Sequence, residues 1–169
     1  MSRRTKPRDP WTQALDALSR RALSVAELRA KLARLEHAPD TIDAVIAKLR
    51  RLALVDDRSV AYNHARHRQR EGKRGPARVR AELQRRGIPR ELCDEVLSEV
   101  FPPEQDEELF QRALERLGSP RGREQGRPAR EKVARRLLRA GFPGARVSRW
   151  LAEGDVDWLD DEFDEFEES

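Results

Sequence analysis

The chain is poor in several residue types that most folded domains use. Of its 169 residues, 5% are aromatic, one is a cysteine and 37% are hydrophobic, whereas 39% are charged. A single cysteine excludes an internal disulfide and any site built on paired cysteines. No apolar run approaches the roughly 18 residues of a membrane-spanning helix, and the basic start leads into no apolar segment typical of a secretory signal. We therefore expect a cytoplasmic protein that does not enter a membrane, built from thin helical layers.

Sustained alternation of apolar and polar residues, which marks a β-strand, is also missing. Apolar residues recur instead three and four positions apart, as between Ile42 and Leu49, which is the period of a helix with one buried face. Ser24 and Glu27 have the spacing of a capping box, in which both side chains bond to free amides of a helix start. The sequence predicts an all-α fold.

One apolar pattern occurs three times along the chain. A shift of 51 residues aligns a first pair of helices with a second, and a further shift of 54 aligns the second pair with a third. The aligned residues are, in order, Leu28, Leu32, Ile42, Val45 and Ile46; Val79, Leu83, Cys93, Val96 and Leu97; and Val133, Leu137, Val147, Trp150 and Leu151. Another helical segment precedes each pair. We therefore predict three tandem three-helix modules in an elongated array, each completing its core against its neighbours.

The predicted organisation has five parts. A basic N-terminal arm covers residues 1–9, the three modules cover 10–55, 56–102 and 103–153, and an acidic tail covers 154–169. The arm and the tail are expected to be flexible. A Gly/Pro/Arg-rich loop at 119–128 lengthens the third module.

The net charge of +4 conceals an uneven distribution. Residues 153–169 hold ten acidic side chains and no Lys or Arg, which leaves 35 basic against 21 acidic side chains, a net charge of +14, in residues 1–152. The positive charge is densest from Arg66 to Arg90, where ten Lys and Arg accompany two glutamates. This distribution favours a polyanionic partner such as nucleic acid. A basic surface that only keeps the protein soluble is the alternative.

The candidate contact residues are five basic residues in the first half of that segment. They are Arg66, Arg70, Lys73, Arg74 and Arg78. The first two are one helical turn apart, the next two fall in a turn and the last opens the following helix, so that all five could face phosphates or carboxylates. The predicted third helices of the modules contain few Asn, Gln or Ser residues of the kind that read base edges. We therefore expect contact with nucleic acid that does not depend on base sequence.

Signals for catalysis and for metal binding are weak. His64 and His67 could share a helix face, but no third ligand accompanies them. Asp56 and Asp57 stand where acidic residues cap a helix, and Cys93 takes a position that is aliphatic in the other modules. No Gly-rich phosphate loop has the required spacing. We expect a protein that is not an enzyme, with no catalytic residues, no metal and no cofactor.

A series of short motifs follows in order along the chain. It consists of Ser24-Val-Ala-Glu27-Leu28, Leu32, Leu54-Val55-Asp56-Asp57, Val60-Ala61, Arg66, Arg70, Gly75-Pro76, Arg78-Val79, Glu82-Leu83 and Gly87-Ile88. This series resembles the signature of the RecX regulatory family, and the resemblance covers residues 11 to about 152. The chain departs from the family at Leu35-Glu36-His37, where a glycine is common, in its lengthened loop and in its acidic tail.

The resemblance implies a three-repeat helical protein that binds the RecA recombinase filament on single-stranded DNA. It further implies inhibition of ATP hydrolysis, of strand exchange and of the SOS response. Two other classes of function stay open: a helix-turn-helix DNA-binding transcriptional regulator, and a scaffold for an unrelated helical partner. A monomer is expected, and the acidic tail is expected to compete with nucleic acid for the basic face.

Overall fold

The structure is a computed structural model, and it describes residues 9–118 and 126–153. Within these two ranges the chain forms nine α-helices, one short 3-10 helix and no strand. The first six helices are α1 (Pro10–Arg20), α2 (Val25–Arg34), α3 (Pro39–Arg51), α4 (Asp57–Glu71), α5 (Pro76–Arg85) and α6 (Arg90–Val100). A 3-10 turn, Pro103–Gln105, is followed by α7 (Asp106–Leu117), α8 (Arg127–Ala140) and α9, at residues 144–153. The predicted all-α fold is confirmed.

The predicted N-terminal arm, apart from Asp9, lies outside the described residues, as do most of the 119–128 loop and the whole acidic tail. Within the part of the chain that the structure describes, no helix combines the length and the apolarity needed to cross a membrane.

Side-chain caps begin α2 and α4 at the positions that the sequence indicates. Ser24 Oγ accepts from the amide of Glu27 at 3.0 Å, and a carboxylate oxygen of Glu27 accepts from the amide of Ser24 at 2.9 Å, which is the predicted capping box. Asp56 caps α4 by accepting from the Ser59 hydroxyl at 2.6 Å and from the amide of Arg58 at 2.9 Å. The Ser59 hydrogen bond in particular lowers the pKa of Asp56. Asp56 is therefore a helix cap, as expected.

The described residues divide into two compact units. The first comprises 9–64 and 82–96, and the second comprises 65–81, 97–118 and 126–153. The division passes through α4, α5 and α6. The three-module boundaries drawn from the sequence stay a prediction.

Each unit has an apolar core of its own. The first is built on α1, α2 and α3, with Ala14, Leu28, Leu32 and Leu49 fully buried. The second is built on α7, α8 and α9 around Phe110, whose ring meets the ring of Phe142 edge-on at 6.0 Å. Buried alanines, such as Ala14 in the first core and Ala113 in the second, take part in both cores.

In the first unit, the start of α2 packs against the turn that follows α5. Ser24 Oγ donates to the carbonyl oxygen of Arg86 at 2.5 Å. The Arg86 guanidinium donates to the Ala22 carbonyl at 3.0 Å and to the Glu27 carboxylate at 2.8 Å. Gly87 has a φ of 75°, and a Cβ on it would lie 2.3 Å from the Cβ of Ala26. Glycine is therefore required there by both the backbone and the contact.

In the second unit, the start of α5 packs in the same way against the turn that follows α8. The amide of Gly75 donates to the Ala140 carbonyl at 2.8 Å, and the amide of Ala77 donates to the Gly141 carbonyl at 3.2 Å. Gly141 has a φ of 87°, and a Cβ on it would lie 2.3 Å from the amide nitrogen of Arg78. Amides that lack a partner at one helix start thus bind carbonyls that lack a partner at another helix end.

We call these two contacts the first junction, in the first unit, and the second junction, in the second unit. They use equivalent positions of the sequence repeat. The shift of 51 takes Ser24 to Gly75, and the shift of 54 takes Arg86 to Ala140. The Arg86 carbonyl accepts from Ser24 in the first junction, and the Ala140 carbonyl accepts from Gly75 in the second. The position that corresponds to Gly87 in the first module is Glu36, which also has a positive φ, of 62°, and an exposed side chain. The first module therefore keeps the left-handed turn without the close approach that requires glycine.

We expect the substitution Gly141→Ala to destabilise the protein. Its Cβ would collide with the backbone of Arg78, and its φ would be strained, a cost of about 1–3 kcal/mol from the strain alone. Urea unfolding followed by circular dichroism measures this loss. Gly144→Ala is the matched control, because its Cβ would meet only a side-chain carbon of Leu138 at 3.9 Å. Equal stability of the two variants would contradict the role of the junction.

Glu27 couples the first junction to pH. Partial burial raises its pKa, but hydrogen bonds from Arg86 and from the amide of Ser24 outweigh this effect and lower the pKa from 4.5 to about 2. Because the folded protein favours the charged form, this stabilisation is fully present above about pH 4.5 and is lost as the pH falls towards 2. The Glu27 side chain is 21% exposed, so solvent only partly screens the pair.

We therefore expect Glu27→Gln to lower the free energy of unfolding at pH 7 by about 1–3 kcal/mol and to flatten its decrease between pH 4.5 and 2. Urea unfolding across a pH series measures both effects. Glu36→Gln, which changes an exposed side chain of the same unit, is the control. An unchanged pH profile in Glu27→Gln would show that this carboxylate is not a source of the acid sensitivity.

Candidate polyanion-binding groove

The positive charge of the described residues belongs to one unit. The first unit contains twelve Lys and Arg and twelve Asp and Glu, and so carries no net charge. The second contains seventeen Lys and Arg and nine Asp and Glu, a net charge of +8. A polyanion is therefore attracted to the second unit.

A groove of about 380 Å³ on the second unit collects five of these cations. They are Arg68, Lys73, Arg74, Arg136 and Arg139, and the lining is completed by Glu71, Leu117 and Ala140. We call this set the basic groove. Its cations come from the end of α4, from the turn that follows and from the last turns of α8.

The second junction brings these elements together. The hydrogen bond from Gly75 to Ala140 holds the turn that carries Lys73 and Arg74 against the end of α8. Arg136 donates to the carbonyl of Leu117 at 3.3 Å, which places its guanidinium at the end of α7. Backbone hydrogen bonds thus hold the segments that carry these cations next to each other, although the like charges of the side chains repel.

Glu71 is the only acidic residue among those that line the basic groove. Arg68 donates to its carboxylate at 2.8 Å, and His67 lies 3.3 Å from it. The hydrogen bond from Arg68, followed by the charges of Arg68, His67 and Arg74, holds the pKa of Glu71 below its usual value. Glu71 is therefore negative at neutral pH and balances one of the five cations.

The remaining excess of positive charge fits phosphate or carboxylate groups. Lys73 and Arg139 are exposed, and guanidinium groups can donate two parallel hydrogen bonds to one phosphate or carboxylate. The described residues contain no group of three His, Cys, Asp or Glu that could hold a metal ion. This arrangement of cations is suited to binding a polyanion.

The structure brings two of the five predicted contact residues together. Lys73 and Arg74 line the basic groove, whereas Arg66, Arg70 and Arg78 do not. Arg66 donates to Gln69 at 2.8 Å, Arg70 is exposed, and the backbone of Arg78 packs against Gly141.

Helical geometry explains this separation. Arg68, which lines the groove, is two residues from both Arg66 and Arg70 and therefore projects about 200° away from them around α4. Arg136 and Arg139 of α8 are far away in sequence, and contiguity alone could not associate them with residues 68–74. Their signal was the composition of α8, which holds six Lys and Arg and one Glu.

Two other arginines of the second unit are part of its core. The Arg130 guanidinium lies 4.4 Å from the centre of the Trp150 ring and donates to the Trp150 carbonyl. The Arg146 guanidinium lies 4.1 Å from the centre of the Phe110 ring and donates to Glu107 at 2.5 Å. These side chains support the packing of α9 on α7 and α8, and so they are poor candidates for contact with a partner.

The residues that the sequence analysis considered for catalysis or metal binding make structural contacts. Cys93 is fully buried, as expected of a core residue. The ring of His64 contacts Glu82 at 2.9 Å, while that of His67 contacts Glu71, so the two histidines do not form a common site.

Comparison with known proteins gives the family. Models of the first and second three-helix domains of RecX match residues 11–49 and 56–97. Regulatory protein RecX of Prosthecochloris aestuarii is 31% identical over 146 residues, which are 86% of this chain and 93% of that protein. The chain belongs to the RecX family.

Other family members agree in sequence and in fold. Regulatory protein RecX of Geobacillus kaustophilus is 37% identical over 85% of this chain, although the chain spans only 53% of that longer protein. The crystal structure of RecX from Lactobacillus salivarius matches with a TM-score of 0.75, covering 89% of this chain and 97% of that one at 23% identity. Another crystal structure of a regulatory protein RecX has a TM-score of 0.73 at 24% identity, covering 87% of this chain and 71% of that one. The helical array is therefore the family's fold.

We expect the combined substitutions Arg136→Gln and Arg139→Gln to weaken binding to a single-stranded oligonucleotide. Losing two phosphate contacts is expected to reduce the slope of log K against log salt by about 1.4. Fluorescence anisotropy across a salt series measures this slope. Arg50→Gln with Arg51→Gln is the control, because it removes the same charge from α3 of the neutral unit. Equal losses in the two variants would show that only total charge matters.

Proposed function

We propose that this protein regulates the RecA recombinase by binding its filament on single-stranded DNA and inhibiting ATP hydrolysis, strand exchange and SOS induction. Membership of the RecX family is the observation that carries the proposal. The protein acts in the cytoplasm as a monomer, without a cofactor of its own.

The basic groove supports the nucleic-acid side of this function. A filament on DNA offers phosphates and acidic side chains, and the groove presents Lys73, Arg136 and Arg139 beside only one carboxylate. Because these cations bind phosphates rather than bases, the contact does not depend on DNA sequence. That property suits a regulator that must act wherever a filament forms.

Inhibition follows from occupancy of the filament rather than from chemistry. The described residues contain no strand, and hence no strand-loop-helix motif for binding nucleotide phosphates. In this proposal the protein slows hydrolysis by RecA and does not hydrolyse ATP itself.

The transcriptional-regulator alternative gains no support from the third helix of the predicted middle module. That helix, α6, carries four Asp and Glu and one Arg. A helix of this charge would be repelled by phosphates on both sides of a DNA groove.

The test is an assay of DNA-dependent ATP hydrolysis by RecA with increasing amounts of this protein. We expect hydrolysis to fall, and the variant with Arg136→Glu and Arg139→Glu to require more protein for the same inhibition. The control variant carries Arg50→Glu and Arg51→Glu. Unchanged hydrolysis and strand exchange at a stoichiometric excess over RecA would refute the proposal. A sequence-specific footprint without RecA would favour a transcriptional regulator instead.

A further inference from the structure

The segment that follows α9 carries charge opposite to that of the unit to which it is attached. Residues 154–169 contain nine Asp and Glu and no Lys or Arg. They continue directly from α9, whose Val147, Trp150 and Leu151 pack into the core of the second unit. The tail therefore begins on the unit whose described residues carry +8, and not on the neutral one.

The basic groove gathers cations of that unit in excess over carboxylates. Its five cations are accompanied by Glu71 alone, which Arg68 already binds. Lys73, Arg136 and Arg139 face no other carboxylate among the lining residues. A second source of carboxylates would relieve the repulsion between these three side chains.

The tail is long enough to reach the groove from any point on the same unit. Sixteen residues span up to about 55 Å when extended and about 20–24 Å as a flexible coil. A compact unit of this size has a radius of gyration of about 11 Å. Tethering at this range gives an effective concentration on the order of millimolar, so even a weak contact would be populated.

We propose that the acidic tail, residues 154–169, binds the basic groove and competes there with nucleic acid. The tail offers carboxylates where nucleic acid offers phosphates, and both bind the same guanidinium and ammonium groups. This inference rests on the proposed function in one respect, since it assumes that the groove is where polyanions bind. Its consequence is a threshold: a weak ligand with few phosphates is excluded, whereas an extended polyanion displaces the tail.

The expected magnitude follows from competition with a tethered ligand. If the tail binds the groove with a dissociation constant about tenfold below its effective concentration, the apparent affinity for a short oligonucleotide falls on the order of tenfold. Salt screens the tail and the oligonucleotide alike, so this difference is largest at low ionic strength.

The experiment compares the full-length protein with a full-length variant in which all nine acidic residues of the tail are replaced by their amides. Binding to a short single-stranded oligonucleotide is measured by fluorescence anisotropy at low and high salt. We expect the neutral tail to raise affinity about tenfold at low salt and much less at high salt. Both chains keep the described fold and the same length, so that only the charge of the tail changes.

A second pair of proteins locates the contact. The same tail replacement is made in a chain that carries Arg136→Gln and Arg139→Gln, and in one that carries Arg50→Gln and Arg51→Gln. The gain in affinity should disappear in the first background and persist in the second. As a direct measure, a labelled peptide of residues 154–169 should bind the neutral-tail protein and lose this binding when Arg136 and Arg139 are replaced.

Each other outcome overturns the proposal. If the neutral tail raises affinity equally in both backgrounds, the tail repels nucleic acid generally and does not occupy the groove. If it changes nothing and the peptide does not bind, the tail is only a solubilising extension. Inhibition of RecA in that case leaves the proposed function intact, whereas a tail effect on oligonucleotide binding without any effect on RecA refutes the proposed function alone.

Discussion

The contact between a helix start and the turn that ends another helix is the interaction on which the rest of this molecule depends. A short helix leaves amides unpaired at its start and carbonyls unpaired at its end, and burying either without a partner is costly. Here unpaired amides at one helix start bind unpaired carbonyls at another helix end, as where the amide of Gly75 donates to the carbonyl of Ala140. The contact is close only because Gly87 and Gly141 carry no Cβ. A chain with few large apolar residues can thereby join small helical groups.

The same contact assembles the basic groove, and it does so against electrostatic repulsion. Lys73 and Arg74 lie beside Arg136 and Arg139 because the backbones of the turn and of α8 are hydrogen-bonded next to them. Hydrogen bonds and the core around Phe110 offset the cost of crowding these charges. An anion in the groove removes that cost, so binding of a polyanion and stability of the second unit reinforce each other.

The sequence predicted the fold better than the grouping of charges. Helical period and the Ser24–Glu27 box are local signals, and the shift of 54 residues in the repeat also relates Gly87 to Gly141. A cluster of charges depends on which helix faces converge. Contiguity grouped Arg66 with Lys73, whereas the structure groups Lys73 with Arg139. Only tertiary packing brings those two residues together, because 65 positions separate them.

Net charge is a poor guide to what this protein can bind. The value of +4 is the sum of a neutral unit, a unit at +8, an N-terminal segment at +4, residues 119–125 at +1 and the acidic tail at −9. Affinity for a polyanion depends on how many cations at the binding surface can replace the counterions of its phosphates, and not on the net charge of the whole chain. Fold and charge can therefore vary separately within a family, because core positions determine the helices while exposed positions determine the field. Sequence identity of 23–24% is enough to preserve the fold. The distribution of charge must be established from the residues of each chain.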